Sequence, residues 1–418
     1  MSRLLLEKPF PGATTCVLVG DAQALDRARL QRFRHLLWLT DRDNVQRARP
    51  VLPRHAIETA MVDDPPHSAV ELFLRRDPRH LPSIFVSDII LTQHPDAYRR
   101  ALAELETTLE THHHSRVARQ KDGFLWQKHV FENLSDYAAR RVPAEWANAL
   151  PGLPAIICAD STGIPRALAS QARQSVIFAV DTALPALARR RVAVDFALAF
   201  DPTRAPQKRL GDSTPARVIL SPQSHPAWQT ALPASDRYYL ASRHPTVEWL
   251  ATQRIAAPPV AISDNATSTA VTLARFLGCS PIHVLRDKKT AARHRDRAIP
   301  KTPTPASVPT GKSRHLAALP APEPVPPAVL LAARNRVRLA ATFGRIQSAE
   351  IRRILESRTP ETAAISFRQL LADETFARVF GTFSQKLTPH LLPPIEADPA
   401  VWHALLDELD QLAALAAQ

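Results

Sequence analysis

The chain has 418 residues, of which 45% are hydrophobic and 22% charged, with 53 Lys and Arg against 40 Asp and Glu. That balance excludes a wholly disordered chain and allows two or three domains, each with its own core. The formal charge of +13 is concentrated between Arg286 and Arg314, where nine basic residues stand against two acidic ones, so the rest is only mildly basic and the total does not point to a nucleic-acid partner.

Glycine is scarce at 10 and proline abundant at 38, so any loop that cradles phosphate must work with few glycines. Cys16, Cys158 and Cys279 lie far apart, each in or beside an apolar run. They read as small buried hydrophobes, and no zinc spacing exists. The opening MSRLLLEKPFPG has a three-leucine run too short for a signal peptide, and no stretch reaches membrane-spanning length. A cytoplasmic location and no membrane partner are expected.

Thr15 to Val19 (TCVLV) is predicted as a strand leading into Gly20-Asp21, with a polar helix to about Phe33 and a second strand, His35 to Leu39, ending at Asp41. An acid there is where a Rossmann unit holds a ribose hydroxyl. The turn keeps only one glycine of the G-x-G-x-x-G pattern, so the alternative is a Rossmann-like domain kept for packing. Further strands are expected at Ile57 to Val62 and Ile84 to Ser87, with a helix at Ala69 to Leu74 between them.

Asp96 to His112 and Phe124 to Tyr137 carry helical apolar spacing and read as two amphipathic connecting helices. The triplet His112-His113-His114 between them reads as a solvated helix end, since adjacent histidines cannot share one helix face for a metal. Asn133 either lines a site or caps a turn.

The centre of the chain runs PAIICADSTGIPRALASQARQSVIFAVDTALPALARRRVAVDFALAFDP. Three strands are predicted, Pro154 to Ala159, Val176 to Val180 and Asp195 to Phe200, separated by helical lengths. Such spacing indicates βαβ units and a parallel sheet buried on both faces, with ligands beyond the carboxyl strand ends. Ser161, Asp181 and Asp201 fall at those ends, whereas Asp195 precedes its strand and reads as a local cap. Ala216 to Leu220, Arg237 to Ala241 and Pro281 to Leu285 add strands. Ile262 to Gly278 is a helix from Ser268 with Gly278 as C-cap, and its Ser- and Thr-rich start either binds an anion or is a plain cap.

Residues from Pro300 to Pro327 are proline-rich and basic, and read as an extended linker. Ala306 to Ser313 (ASVPTGKS) matches a relaxed P-loop pattern, but prolines stand where the preceding strand should be. Val329 to Leu355, Thr362 to Phe380 and Ala400 to Ala416 have helical periodicity and are expected to form a cap or a partner-binding tail.

PAII at Pro154, FAVDTALPAL from Phe178, VDFALAFDP from Val194, SPQSHP from Ser221 and STAVTLARFLGCSPI from Ser268 occur in that order. The run from Pro154 to about Leu285 resembles the 6-hydroxymethylpterin diphosphokinase MptE-like domain. With the N-terminal region, HPDAY at His94 and the FLWQKHVFENL helix, residues 10 to 290 resemble the motility-accessory-factor glycosyltransferases. Two departures stand out: Ala159-Asp160-Ser161-Thr162-Gly163-Ile164 replaces the family's Gly-Ala-Gly-Pro-Ser-Leu turn, and Arg286-Asp287-Lys288-Lys289 replaces Gly-Gln-Asp-Leu.

The resemblance implies an α/β protein with two Rossmann-like parallel-sheet domains, to which composition and helical periodicity add a proline-rich linker and an all-α tail. The expected divisions are 1–115, connecting helices over 116–150, the MptE-like domain over 151–298, the linker over 299–327 and the tail over 328–418. The implied activity is transfer from a nucleotide-activated donor: a nonulosonic acid from a sugar nucleotide onto a protein hydroxyl such as flagellin's. The rivals are diphosphate transfer from ATP to a small alcohol, a non-catalytic scaffold, and a methyltransferase resting on Gly20 and Asp41. Asp181 and Asp201 are the candidate catalytic carboxylates, with Asp201 a candidate ligand for a divalent cation such as magnesium. Ser161, Thr162, Thr182 and Ser268 are the candidate nucleotide-binding residues. For both carboxylates a role in organising the turn is the alternative.

Overall fold

In the computed structural model the described residues are 4–8, 15–21, 23, 33, 35–48, 57–62, 82–161, 164–165, 168–210, 214–263, 265–285, 312–357, 360–391, 395 and 398–418. The chain forms two compact units, 1–122 with 388–392, and 123–387 with 393–418. The predicted helices at Ala69 to Leu74 and before Phe33 lie outside the described residues.

The first unit is built on a five-stranded sheet of β1 (Leu4–Lys8), β2 (Thr15–Val19), β3 (His35–Thr40), β4 (Ile57–Met61) and β5 (Ser83–Ser87), in the order β1-β5-β2-β3-β4. All pairings are parallel except β1 with β5. The leucine run at the start is thus an antiparallel edge strand, a role its half-exposed pattern fits better than a buried parallel one. Alternation along β2 and β3 divides the core. Val17, Val19, Leu37 and Leu39 pack with Tyr98, Leu105 and Leu109, while Cys16, Leu18, Leu36 and Trp38 pack on the other face.

Pro95–Ala139 is one continuous helix of 45 residues rather than the two expected. Between the predicted pieces the sequence holds Arg, Gln and Lys with no proline, so nothing stops helix propagation. The side chains of His112, His113 and His114 lie outside the described residues.

The second unit contains β6 (Ala155–Cys158), β7 (Val176–Val180), β8 (Phe196–Ala199), β9 (Arg217–Leu220), β10 (Arg237–Tyr239) and β11 (Ile282–Leu285). They form a wholly parallel sheet in the order β10-β9-β8-β7-β6-β11. Strand order therefore advances from β6 to β10 and reverses between β6 and β11. Ile157, Phe178, Phe196, Leu198 and Ile219 point to one face, where Ala270, Leu273 and Ala274 of the helix Ala266–Phe276 cover them. Phe178 and Phe196 stack at 5.0 Å, and Trp146 meets Phe196 edge-on at 5.8 Å. Gly278, with φ +84°, ends that helix as the sequence predicts.

The C-terminal third is helical, as the periodicity predicts. The described part of the proline-rich stretch is not a free linker. Lys312–Ala317 is a short helix, Leu316 and Leu319 join the core of the second sheet, and Arg217 Nη2 donates to Leu316 O at 2.6 Å. The helices Pro327–Ser357, Pro360–Ala372, Glu374–Val379, Gly381–Leu387 and Pro399–Ala416 are likewise part of the second unit. Their junction is a buried polar knot: Gln127 Nε2 donates to Thr246 Oγ1 (2.9 Å) and Val379 O (3.1 Å), and its Oε1 accepts from Thr382 N (3.1 Å). Thr382 Oγ1 lies 2.6 Å from His244 Nε2. A buried amide with each end paired fixes one register for the helices it joins.

Candidate functional site

The carboxyl edge of the second sheet collects the residues singled out from sequence. Asp160 and half-exposed polar chain follow β6, Asp181-Thr182 follow β7, and Asp201 follows β8. The reversal of strand order between β6 and β11 makes their carboxyl ends the crevice where open α/β sheets take ligands. Ser161 is exposed there, and Thr162 lies outside the described residues.

Asp181 is 3% exposed and opens a short 3-10 turn that passes into the helix Leu184–Arg189. Its Oδ1 lies 3.5 Å from Arg204 Nη1 and its Oδ2 3.8 Å from Arg209 Nε. Oδ2 is fully buried and, among the described residues, has no hydrogen-bond partner. Burial raises the Asp181 pKa above the ordinary carboxylate value. The two guanidinium groups and the Thr182 N–H oppose that rise, and the Asp201 charge adds to it.

Asp201 is organised differently. Its Oδ1 accepts from Thr203 N (2.9 Å) and Thr203 Oγ1 (2.7 Å), the geometry of an Asx turn, and its Oδ2 meets Arg204 Nε at 2.7 Å. Arg204 therefore bridges the two aspartates. Both Asp201 oxygens, proposed from sequence to ligate a divalent cation, are thus engaged by protein groups, and two arginines face Asp181. Among the described residues no group of three or more His, Cys, Asp or Glu is placed to hold a metal.

Thr182 is half-buried beside Asp181. Ser268 sits in the first turn of Ala266–Phe276, which starts at the carboxyl edge because Ile262 N donates to Ala241 O just past β10. Asn265 Oδ1 accepts from Ser268 N at 2.8 Å, so that N–H belongs to the cap. Asp195 Oδ2 accepts from Ile177 N at 2.7 Å, at the opposite end of the sheet, as a buried backbone cap.

Sequence reasoning did not single out Arg204, Arg209 or His129; Asn133, which it did name, belongs to a cluster beyond β9. There Asn133 Nδ2 donates to Pro222 O (2.9 Å) and Ser224 O (2.8 Å), and His129 Nδ1 lies 3.2 Å from Gln223 O. The spacing of His129 and Asn133 at i and i+4, on one helix face, was the available signal. Arg204, three residues beyond Asp201 in a polar turn, carried a weaker one.

In the first unit, the two residues that the sequence marks, Gly20 and Asp41, are both engaged in local packing. Asp41 is buried, with Oδ1 accepting from Asn44 N (2.9 Å) and Oδ2 from Asn44 Nδ2 (3.0 Å) and Tyr98 OH (2.9 Å). It caps the helix Arg42–Ala48 instead of offering a carboxylate to a ribose. Gly20, at φ +97°, accepts Trp38 Nε1–H on its carbonyl at 2.7 Å, and a Cβ there would meet Ser87 Oγ at 2.8 Å. Packing accounts for both residues. The three cysteines are buried, and burial pushes each thiol up to about 12.

No protein-family model matches the chain, and no curated protein matches it. Among solved structures, the MAf glycosyltransferase from Magnetospirillum magneticum AMB-1 is similar at 12% identity, over 100% of this chain and 80% of that one, with a TM-score of 0.48. At that level the likeness carries nothing about donor, acceptor or chemistry.

A cavity of about 390 Å³ lined by Trp249, Gln253, Arg336, Leu339, Phe343 and Asp373 lies between the helix Pro245–Thr252 and the C-terminal helices. Chemistry favours the strand ends, since the single carboxylate of the cavity, Asp373, caps a helix, its Oδ1 accepting from Phe376 N at 2.7 Å. No described helix is long and apolar enough to cross a membrane.

Proposed function

We propose that the protein transfers a group from a nucleotide-activated donor to a hydroxyl at the carboxyl edge of the second sheet, most simply a sugar to a protein hydroxyl. The observation that carries this reading is Asp181, whose buried Oδ2 has no hydrogen-bond partner among the described residues and whose carboxylate faces two arginines. Leaving a buried acceptor unpaired costs about 1–3 kcal/mol, and such groups concentrate where a ligand completes them. A donor hydroxyl reaching Asp181 would complete it. Arg204 and Arg209, released in part from the aspartates, would meet the donor's phosphate by charge-assisted hydrogen bonds.

In this reading Asp181 is the carboxylate that meets the donor, and Asp201 is a positioning residue that holds Arg204 and the turn. Ser161 and Thr182, which follow β6 and β7, serve the nucleotide. The guanidinium pair takes the charge-neutralising role that a divalent cation would otherwise fill. The sequence resemblance supplies the finer proposal of a cytoplasmic enzyme that passes a nonulosonic acid to flagellin.

A thermal-shift panel of CMP, UDP, ATP and S-adenosylmethionine, with and without magnesium and with EDTA, tests it. A ligand at a hundred times its dissociation constant adds about 2.7 kcal/mol to the state that binds it. The expected result is a shift with CMP or UDP that persists in EDTA and is lost in Arg204→Gln. A shift with ATP alone turns the reading to diphosphate transfer. No shift with any nucleotide removes it in favour of a scaffold.

A further inference from the structure

The helix Pro95–Ala139 brings His129 and Asn133 against the loop Ser221 to His225, which is anchored to the neighbouring strand end. Ser224 Oγ donates to Ala199 O at 2.6 Å, two residues before Asp201, and Asn133 Oδ1 accepts from Gln229 Nε2 at 2.7 Å. His129 is thus held beside the edge that carries Asp181 and Asp201. It is 3% exposed.

Its tautomer follows from its partner. The neighbour 3.2 Å from Nδ1 is the Gln223 carbonyl, which only accepts, so Nδ1 carries the proton and Nε2 the lone pair. Among the described residues Nε2 has no partner. The adjacent His225, with ring centroids 5.4 Å apart, is fixed in the opposite sense: its Nδ1 accepts from Ala227 N at 3.2 Å, so its proton is on Nε2. The charged and titratable groups that bear on His129 are this imidazole and Lys128, which pairs with Glu132 at 3.8 Å. Both disfavour a proton on His129 at rest. A buried imidazole whose N–H is tied to a carbonyl and whose lone pair is unmet has the form of a general base awaiting an O–H.

We infer that His129 Nε2 accepts the proton of the hydroxyl that receives the transferred group. This rests on the transfer reading above. As the acceptor oxygen bonds to the donor's reacting atom, the bond from that atom to the nucleotide's phosphate oxygen breaks and the nucleotide leaves with the electron pair. The hydroxyl proton moves to Nε2, and the imidazolium returns it to solvent once product departs. Negative charge on a bound donor raises the proton affinity of His129 at that moment.

The test uses the full chain and two variants. His129→Asn keeps an N–H for Gln223 O and removes the Nε2 acceptor, and His129→Gln serves as the second should the first fold poorly. Nucleotide binding is read by thermal shift with CMP and UDP. Turnover is read as CMP or UDP released from the matching nucleotide sugar in the presence of a Ser- and Thr-containing peptide. The expected result is an unchanged shift and donor KM, with kcat lower by about 100-fold or more. The acid limb of the wild-type kcat profile should also lie at higher pH than that of kcat/KM. An intact shift with wild-type kcat in His129→Asn overturns this inference alone, and no shift in the wild-type protein overturns the transfer reading beneath it. Independently, the ¹⁵N spectrum of histidine-labelled wild-type protein should show His129 protonated at Nδ1; protonation at Nε2 overturns the inference whatever the turnover.

Discussion

Trp146 Nε1 donates to Pro320 O at 2.9 Å, joining the wall of the second core to a stretch that the composition marks as a linker. Trp146 is fully buried and Leu316 nearly so, which makes this proline-rich stretch a strap over the sheet. Leu316→Ala should therefore destabilise the second unit by about 2–5 kcal/mol, at the lower end if the short helix can settle into the space. Trp146→Phe should cost about 1 kcal/mol through the lost hydrogen bond and the unpaired carbonyl. Chemical denaturation of the two variants checks both, and a solvated linker would give no change for Leu316→Ala.

Asp181→Asn should stabilise the protein while abolishing turnover. Burial raises the folded-state pKa of Asp181 above its ordinary value of 3.8. The unfolded chain therefore releases this proton at lower pH than the folded one, and folding loses stability as pH rises through the raised value. Asparagine carries no charge and escapes that loss. Melting curves from pH 4 to 8 should show the variant's advantage growing with pH; an advantage largest at pH 4 would mean that the arginines, not burial, dominate.

His129 supplies a pH effect of opposite sign. Burial lowers its pKa from 6.5 to about 4, so the unfolded chain binds a proton that the folded chain refuses. Its contribution to stability is undiminished above pH 6.5 and declines as pH falls toward 4. Comparing urea midpoints at pH 4.5 and 7.5, the difference should be smaller in His129→Asn than in wild type. Equal differences would place His129 in a more open setting than its 3% exposure indicates.

Gly381→Ala tests how firmly the C-terminal helices are seated. A Cβ at Gly381 would collide with the Pro245 ring, at the start of the helix Pro245–Thr252. Overpacking of this kind costs about 1–3 kcal/mol. A single cooperative transition shifted to lower denaturant is expected, because the helices and the second sheet form one compact unit. An early separate transition of the helices alone would show that they unfold independently.

Elements that burial dictates are legible in the order of residues alone. Parallel strands covered on both faces must be nearly all apolar, so TCVLV and VIFAV are visible as runs, and the first polar residue after a run marks the strand's carboxyl end. That logic placed Asp181 and Asp201 at the edge and Asp195 at the opposite end. It also exposed the single-glycine turn at Gly20, whose partners prove to be Trp38 and Ser87. Relations between residues distant in the chain emerge only on folding: β11 returning to lie beside β6, Arg209 reaching Asp181, and His129 meeting Gln223 across 94 residues. No local periodicity encodes such pairs. They depend on the order in which strands join the sheet and on the angle at which one helix crosses it, and both follow from the packing of the whole core rather than from any single segment.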